Sequence, residues 1–282
     1  GLDFTFNSIS IGKGANSVAG NTVLGELALD AAVTGGSNTA IGKDVLTANT
    51  SGSQNTAVGH LALSINTTSS GSSALGYSAL KLNTGAQNSG FGSFALGANT
   101  SGTQNTGIGY QAARQSTTAN NITAVGWRAL DANTTGSDNT AIGKSALFAN
   151  TTGYQNVAVG VQSGDAITTG NSNTTVGYQA GTAITTGSNN NFFGSLAGKS
   201  ATTSDFNCGF GQEVLEANTT GASNIAMGFR ALEANTTASN NTAVGDLALS
   251  VNTTGADNVA VGAKALDANT TASNNTAIGR SA

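Results

Sequence analysis

The chain has 282 residues, enough for one or two domains with a sizeable core, and a formal net charge of -4. It contains no proline and 39 glycines, and only 9% of its residues are charged and 5% aromatic. Such a chain is too polar for a membrane span, and it lacks the clustered Lys and Arg residues that bind nucleic-acid phosphates. We therefore expect neither membrane insertion nor a nucleic-acid partner.

The first twenty residues differ from the rest of the chain. Their stretch "FTFNSISIG" alternates phenylalanine and isoleucine with polar residues, and we interpret residues 1–20 as an N-terminal cap or a degenerate first coil. The segment also lacks the basic stretch, apolar run and cleavage site of a secretion signal. The chain stops at Ala282 in the middle of a coil, where an open strand edge would invite aggregation, so we expect a further segment or a partner to cover it.

From residue 21 onward the chain repeats one short pattern, and each copy contains one glycine at the same place. These glycines are Gly25, Gly42, Gly59, Gly76, Gly92, Gly109, Gly126, Gly143, Gly160, Gly177, Gly194, Gly211, Gly228, Gly245, Gly262 and Gly279. Every interval is 17 residues except the one of 16 between Gly76 and Gly92. Because such regularity is typical of stacked structural units, we predict a β-solenoid of about 16 repeats over residues 21–282.

Aligned on this glycine, the unit reads N-T-A-V-G-x-x-A-L-x-A-N-T-T-G-S-x, and each column indicates an environment. The residue before the glycine is always apolar, which predicts that it faces a core. The residue before that is Ala or Gly in 13 of 16 copies, so another backbone lies close to it, either from a second chain or from the same coil. Leu stands four places after the glycine in 11 of 15 complete copies and predicts a second core column. We expect two short strands per coil, joined by turns.

Asparagine recurs at two places in the unit. Seven places after the glycine, as in Asn49, Asn133 and Asn252, it precedes Thr-Thr-Gly and supplies turn chemistry. Four places before the glycine, a second set either forms an amide ladder along the stacking axis or simply makes turns; its members include Asn139, Asn156, Asn173 and Asn190. Identical side chains stacked in successive coils explain the repeated letters, so the predicted fold class is all-β, a parallel β-solenoid with 17-residue coils.

These residues resemble a known pattern. The core "N-[ST]-[AV]-[AIV]-G-x-x-A" is similar to the head repeats of trimeric autotransporter adhesins, and the fuller "NTAxGxxALxxNTTG" array is similar to the shaft repeats of phage tail fibres. The resemblance covers nearly the whole chain, although the adhesin heads use shorter coils. It implies a left-handed parallel β-roll in each chain, three chains side by side in a homotrimeric fibre, and an extracellular appendage of a virion or a bacterial cell that contacts a host surface.

The column directly after the glycine is the best candidate for a binding surface. It carries aromatic residues among charged ones, namely Tyr77, Tyr110, Trp127, Tyr178 and Phe229. Aromatic rings on a ladder can stack against sugar faces, so this column is a possible contact for a host-surface glycan or a protein receptor. Subunit packing is the alternative interpretation of the same rings.

Other reactive side chains give little sign of chemistry. His60 lies in the same column among charged residues, which indicates an exposed surface residue. Glu216 and Glu233 share a column in adjacent coils, and Asp131 and Asp267 occupy the same column in other, distant coils. A stacked carboxylate pair could bind a cation or act as acid and base, but solvated surface charge explains these residues more simply. Cys208 replaces Thr in a column that we expect to face the core and to be at least half-buried, so it is interpreted as a small buried hydrophobe. We expect no enzyme, no catalytic or metal-binding residue and no cofactor.

The leading hypothesis for function is therefore a structural fibre or shaft of a surface appendage that supports host or surface attachment. An ice-binding β-solenoid is one alternative, prompted by the Thr-Thr ladders of "ANTTG". A polysaccharide-binding or polysaccharide-cleaving tailspike is another, and it would need an acidic pair in a groove between chains.

Overall fold

A computed structural model describes residues 3–282, so the first two residues of the predicted cap lie outside the described part. The fold is an all-β parallel solenoid of about 15 turns with 17-residue coils, which confirms the predicted fold class. The chain divides into two compact units, Gly1–Asn139 and Thr140–Ala282, which are described separately below.

The first unit contains a hairpin followed by a parallel sheet. Its strands are β1 (Phe4–Phe6), β2 (Ile9–Gly12), β3 (Thr22–Gly25), β4 (Thr39–Ile41), β5 (Thr56–Val58), β6 (Ser73–Leu75), β7 (Ser89–Phe91), β8 (Thr106–Ile108) and β9 (Thr123–Val125). Strands β1 and β2 pair antiparallel, and β2 also pairs antiparallel with β3. From β3 to β9 each strand pairs parallel with the next one along the chain, so neighbours in space are one repeat apart in sequence.

The second unit has the same coil design. Its strands are β10 (Thr140–Ile142), β11 (Val157–Val159), β12 (Thr174–Val176), β13 (Asn191–Phe193), β14 (Cys208–Phe210), β15 (Ile225–Met227), β16 (Thr242–Val244), β17 (Val259–Val261) and β18 (Thr276–Ile278). All eight successive pairings are parallel and in register, so equivalent residues of the repeat stand directly above one another.

The strands turn their small residues inward, and the prediction that the residue before the glycine faces the core is wrong. In β6 the central Ala74 is 1% exposed, whereas the neighbouring Leu75 is 51% exposed on the outer face. The interior is narrow, because a Cβ added at Gly90 would lie 3.0 Å from Cγ of Leu80 on the opposite leg of the coil. Only Ala or Gly fits this space in most coils, so the small column lines the interior of its own coil, one of the two alternatives that the sequence leaves open.

The opposite leg, which carries the Leu column, is not a strand, so the prediction of two strands per coil is also wrong. In the coil of Gly59, for example, Leu61 and Leu63 have φ angles of 60° and 49°, and this left-handed backbone interrupts any strand. Leu63 is nevertheless fully buried, and so are its leucine equivalents except the partly exposed Leu266, which confirms the predicted second core column. Burial of one such side chain stabilises the fold by about 1.5–3 kcal/mol.

Asparagine forms two ladders inside the coils, which confirms the amide-ladder interpretation. In the set four places before the glycine, Asn190 Nδ2 donates to Asn173 Oδ1 (3.1 Å), and the backbone amide of Asn207 donates to Asn190 Oδ1 (3.1 Å). In the set seven places after it, Asn66 Nδ2 donates to Asn49 Oδ1 (3.2 Å). These side chains are fully buried, so their amides replace water as partners for the backbone at the corners.

In three consecutive coils of the second unit the buried leucine is absent, and another large side chain takes its place. Each has Gly at the Leu position, and the vacated space is filled by Ile167, Ile184 and Phe192, all fully buried. A Cβ at Gly181 would meet Ile184 Cδ1 at 2.8 Å, and one at Gly198 would overlap the ring of Phe192. Side-chain volume inside the coil is therefore conserved, as close packing requires.

Candidate functional site

The aromatic residues of the column after the glycine are all on the surface. Tyr77, Tyr110, Trp127, Tyr178 and Phe229 are between 42% and 52% exposed. The column follows directly from the strand, where the glycine at the corner has a φ angle such as 136° at Gly76 and turns the chain away from the sheet. Each ring therefore stands at the corner between the outer sheet face and the left-handed leg.

Two of these rings are in contact with the arginine that follows them in the sequence. The guanidinium carbon of Arg128 lies 5.3 Å from the ring centroid of Trp127, and that of Arg230 lies 5.0 Å from the ring of Phe229. Such cation–π contacts contribute about 0.5–1 kcal/mol at exposed sites and hold the side chains in place. Each of the two rings therefore has an arginine side chain packed against it.

Tyr77 belongs to an aromatic cluster with two other residues. Its ring stacks on His60 with centroids 5.4 Å apart and meets Phe94 edge-on at 5.1 Å. His60 is partly exposed, as predicted, and its Nε2 lies 3.5 Å from Oδ2 of Asp44. The cluster fixes the orientation of Tyr77, although this ring is half exposed.

A groove of about 420 Å³ lies beside this cluster in the first unit. Tyr77 and Phe94 form its aromatic side, Lys81 and Arg114 contribute cations, and Gly97 lies between those two. Of the five predicted contact residues, only Tyr77 lines it. Sequence reasoning missed Phe94, Lys81, Arg114 and Gly97 as groove residues. Gly97 was the available signal, because it breaks a column that otherwise carries larger side chains in this part of the chain.

Asp131 is not the solvated surface charge that the sequence suggests. Its side chain is 1% exposed and is held by two arginines: Arg114 Nε lies 2.9 Å from Oδ1, and Arg128 Nη2 lies 2.7 Å from Oδ2. Because one carboxylate serves two guanidinium groups, the cluster has an excess positive charge. This excess lies next to the groove.

The second unit holds the predicted Glu216 and Glu233 pair together with Glu213, their oxygens within 4.8 Å of one another. Arg230 Nε lies 2.5 Å from Glu213 and 3.7 Å from Glu233, while Lys199 Nζ lies 3.4 Å from Glu216. The hydrogen bond from Arg230 lowers the pKa of Glu213 below its ordinary value. Each of these three carboxylates therefore has a cationic partner in the same chain, and the two cations leave one net negative charge in the cluster.

Cys208 lies in β14 and is half-buried, but it lies on the outer sheet face, so the prediction that its column faces the core is wrong. Burial raises the pKa of its thiol, so the thiol stays protonated at neutral pH. Its surroundings are those of a packed side chain and not of an activated nucleophile.

Together the repeat and its ladders define a structural repeat protein with a β-solenoid fold. No protein-family model matches the chain, and no curated protein matches it. Within residues 3–282, none of the secondary structure is a helix of the length and apolar character needed to cross a membrane.

Proposed function

We propose that this chain is a structural fibre protein of a surface appendage, as in a phage tail fibre or a bacterial adhesin. In this proposal it is extracellular, forms a homotrimer and supports attachment to a host surface through a glycan or protein receptor. It takes part in no catalytic step and needs no cofactor.

The outer face of the parallel sheet carries the proposal. In the first unit this face exposes one apolar residue per coil, among them Leu24, Leu75, Phe91 and Ile108. In the second unit Ile142, Phe210, Met227 and Val261 do the same. Soluble chains rarely leave a continuous apolar row open to water, so these rows favour packing against further copies of the same chain.

Three copies around one axis form a closed cyclic arrangement in which every chain packs with the same sheet face. Parallel strand pairing from coil to coil then provides stiffness, because each coil is fixed to the next by backbone hydrogen bonds and asparagine ladders. Three identical chains also multiply weak contacts with a surface through effective concentration. Stiffness and multivalency are the properties that an attachment fibre needs.

The test is the mass of the protein in solution, measured by light scattering after size exclusion, together with the same measurement on two variants. Ile108→Lys places a charge on the outer sheet face, and Ile65→Lys places the same charge on the left-handed leg; the two residues are 40% and 41% exposed. We expect three chains for the wild type and for Ile65→Lys, and a lower mass for Ile108→Lys. A wild-type protein that runs as a single chain would contradict the proposal.

Ice binding is a second candidate, favoured by another feature of the same face. The first threonine of "ANTTG" is hydrogen-bonded at the corner, since Thr151 Oγ1 donates to the carbonyl of Thr168 at 3.1 Å. The strands themselves, however, present a second rank of outward threonines, such as Thr56 in β5 and Thr106 in β8. A regular rank of this kind on a monomer would give thermal hysteresis, whereas a trimer that buries the face would give none.

A further inference from the structure

The groove in the first unit arises where three consecutive coils meet. Five places after the glycine these coils carry Lys81, Gly97 and Arg114 in turn. Since successive coils are spaced about 4.8 Å apart, the missing side chain at Gly97 leaves a gap between two cationic residues about 10 Å apart. The groove is therefore bounded by positive charge at two ends.

One side of the groove is aromatic and held in place. The Tyr77 ring is 48% exposed, and its contacts with His60 and Phe94 restrict its orientation. A fixed and half-exposed ring offers an apolar face to the C–H groups of a sugar, at little cost in side-chain entropy. The Tyr77 hydroxyl and the exposed Gln115 amide can also hydrogen-bond sugar hydroxyls.

The charge at the groove is available to a ligand. Lys81 forms no ion pair with any residue that the structure describes. Arg114 uses only its Nε in the contact with Asp131, and Arg128 already binds that carboxylate through its Nε and Nη2. The whole chain has a net charge of -4, so a densely charged polyphosphate is disfavoured, while a ligand with sparse carboxylates fits two separate cations.

We propose that this groove binds an acidic saccharide of the uronic-acid class. A sugar carboxylate lies between Lys81 and Arg114, above Gly97, and the sugar ring packs against Tyr77. The biological setting rests on the proposed attachment function, and the groove supplies the ligand class that this function leaves open.

The test is isothermal titration calorimetry, which measures the affinity of the full chain for a galacturonic-acid tetrasaccharide and for the neutral galactose tetrasaccharide. We expect the acidic probe to bind and the neutral probe to bind at least about tenfold more weakly, because a charge-assisted hydrogen bond is worth about 1.4 kcal/mol or more. Absence of binding by the acidic probe, or equal binding of both probes, would overturn the proposal.

Three variants locate the binding. Lys81→Gln removes one cation, and Gly97→Gln fills the gap; a Cβ at Gly97 lies 3.2 Å from its nearest neighbour, the Phe94 carbonyl oxygen, so this residue accepts a side chain with a small shift. Both variants should bind the acidic probe at least about tenfold more weakly than the wild type does. Lys43→Gln makes the same charge change away from the groove and should bind like the wild type.

Unchanged binding by Gly97→Gln would place the probe elsewhere and reject the groove. The solution mass of the same variants separates this result from the proposed function, because the groove lies off the outer sheet face. Saccharide binding by a protein that runs as a single chain would reject the trimer and support the groove. A trimer that does not bind the saccharide would support the proposed function and reject the groove.

Discussion

The asparagine ladder leads to a quantitative prediction at Asn190. Its side chain takes part in five hydrogen bonds: Nδ2 donates to Asn173 Oδ1 and to the carbonyls of Ser188 and Ser204, and Oδ1 accepts from the backbone amide and Nδ2 of Asn207. Asn190→Ala removes all five bonds and leaves the buried amide of Asn207 without its partner.

With a net value of about 1 kcal/mol for each bond, the loss amounts to about 3–5 kcal/mol in the free energy of unfolding. The adjacent Asn191→Ala is the control, because Asn191 is exposed at the first position of β13 and its equivalents are mostly threonine. The control should stay within about 0.5 kcal/mol of the wild type, as is usual for surface substitutions.

Urea unfolding followed by circular dichroism measures both variants, and hydrogen exchange at the Asn207 amide reports the local effect. Exchange matters here because a repeat protein can open locally without unfolding throughout. If Asn190→Ala were as stable as Asn191→Ala, with no faster exchange at Asn207, the ladder would not stabilise the coil and the reasoning would be refuted.

Three further predictions concern the backbone and one half-buried carboxylate. Leu63 has a φ of 49°, so Leu63→Ile should destabilise by about 2 kcal/mol more than Leu63→Met, because β-branched residues resist left-handed backbone; urea unfolding compares the two. Gly109→Ala should cost about 3 kcal/mol by the same measurement, since its φ is 130° and a Cβ would lie 2.5 Å from the Gly126 carbonyl oxygen, whereas Gly97→Ala should cost less. Desolvation raises the pKa of Asp165 above its ordinary value, so its charged form is disfavoured in the folded state and stability falls as the pH rises through that pKa. The melting temperature of Asp165→Asn, relative to that of the wild type, should therefore be higher at neutral pH than at acid pH.

Each of these three predictions would be contradicted by one result. Equal stability of the isoleucine and methionine variants would mean that the left-handed leg relaxes freely, and equal cost of the two glycine variants would mean that the corner tolerates a side chain. For Asp165, a melting-temperature difference that is constant with pH would show that its ionisation is not coupled to folding.

The sequence by itself determined the stacking and most of the interior. A period of 17 residues dictates parallel in-register coils, because only then do like side chains meet like ones, and the Leu column and the Asn ladder follow from that. One further signal was available in the letters: the columns occupied by Leu61, Leu63 and Gln54 hold no β-branched residue in any coil, despite the many threonines of the chain. That exclusion reflects positive φ at all three columns and would have ruled out the second strand.

Only the tertiary structure decided which face of each strand is inside. Alternation along a strand separates two faces, but it does not say over which of them the rest of the coil closes, and that depends on the φ angles at the corner glycine and along the left-handed leg. Hence Ala74 is buried and Leu75 is exposed, although hydrophobicity suggests the reverse. The groove has the same origin, since Lys81, Gly97 and Arg114 are 16 and 17 residues apart in the chain and become neighbours only when the coils stack.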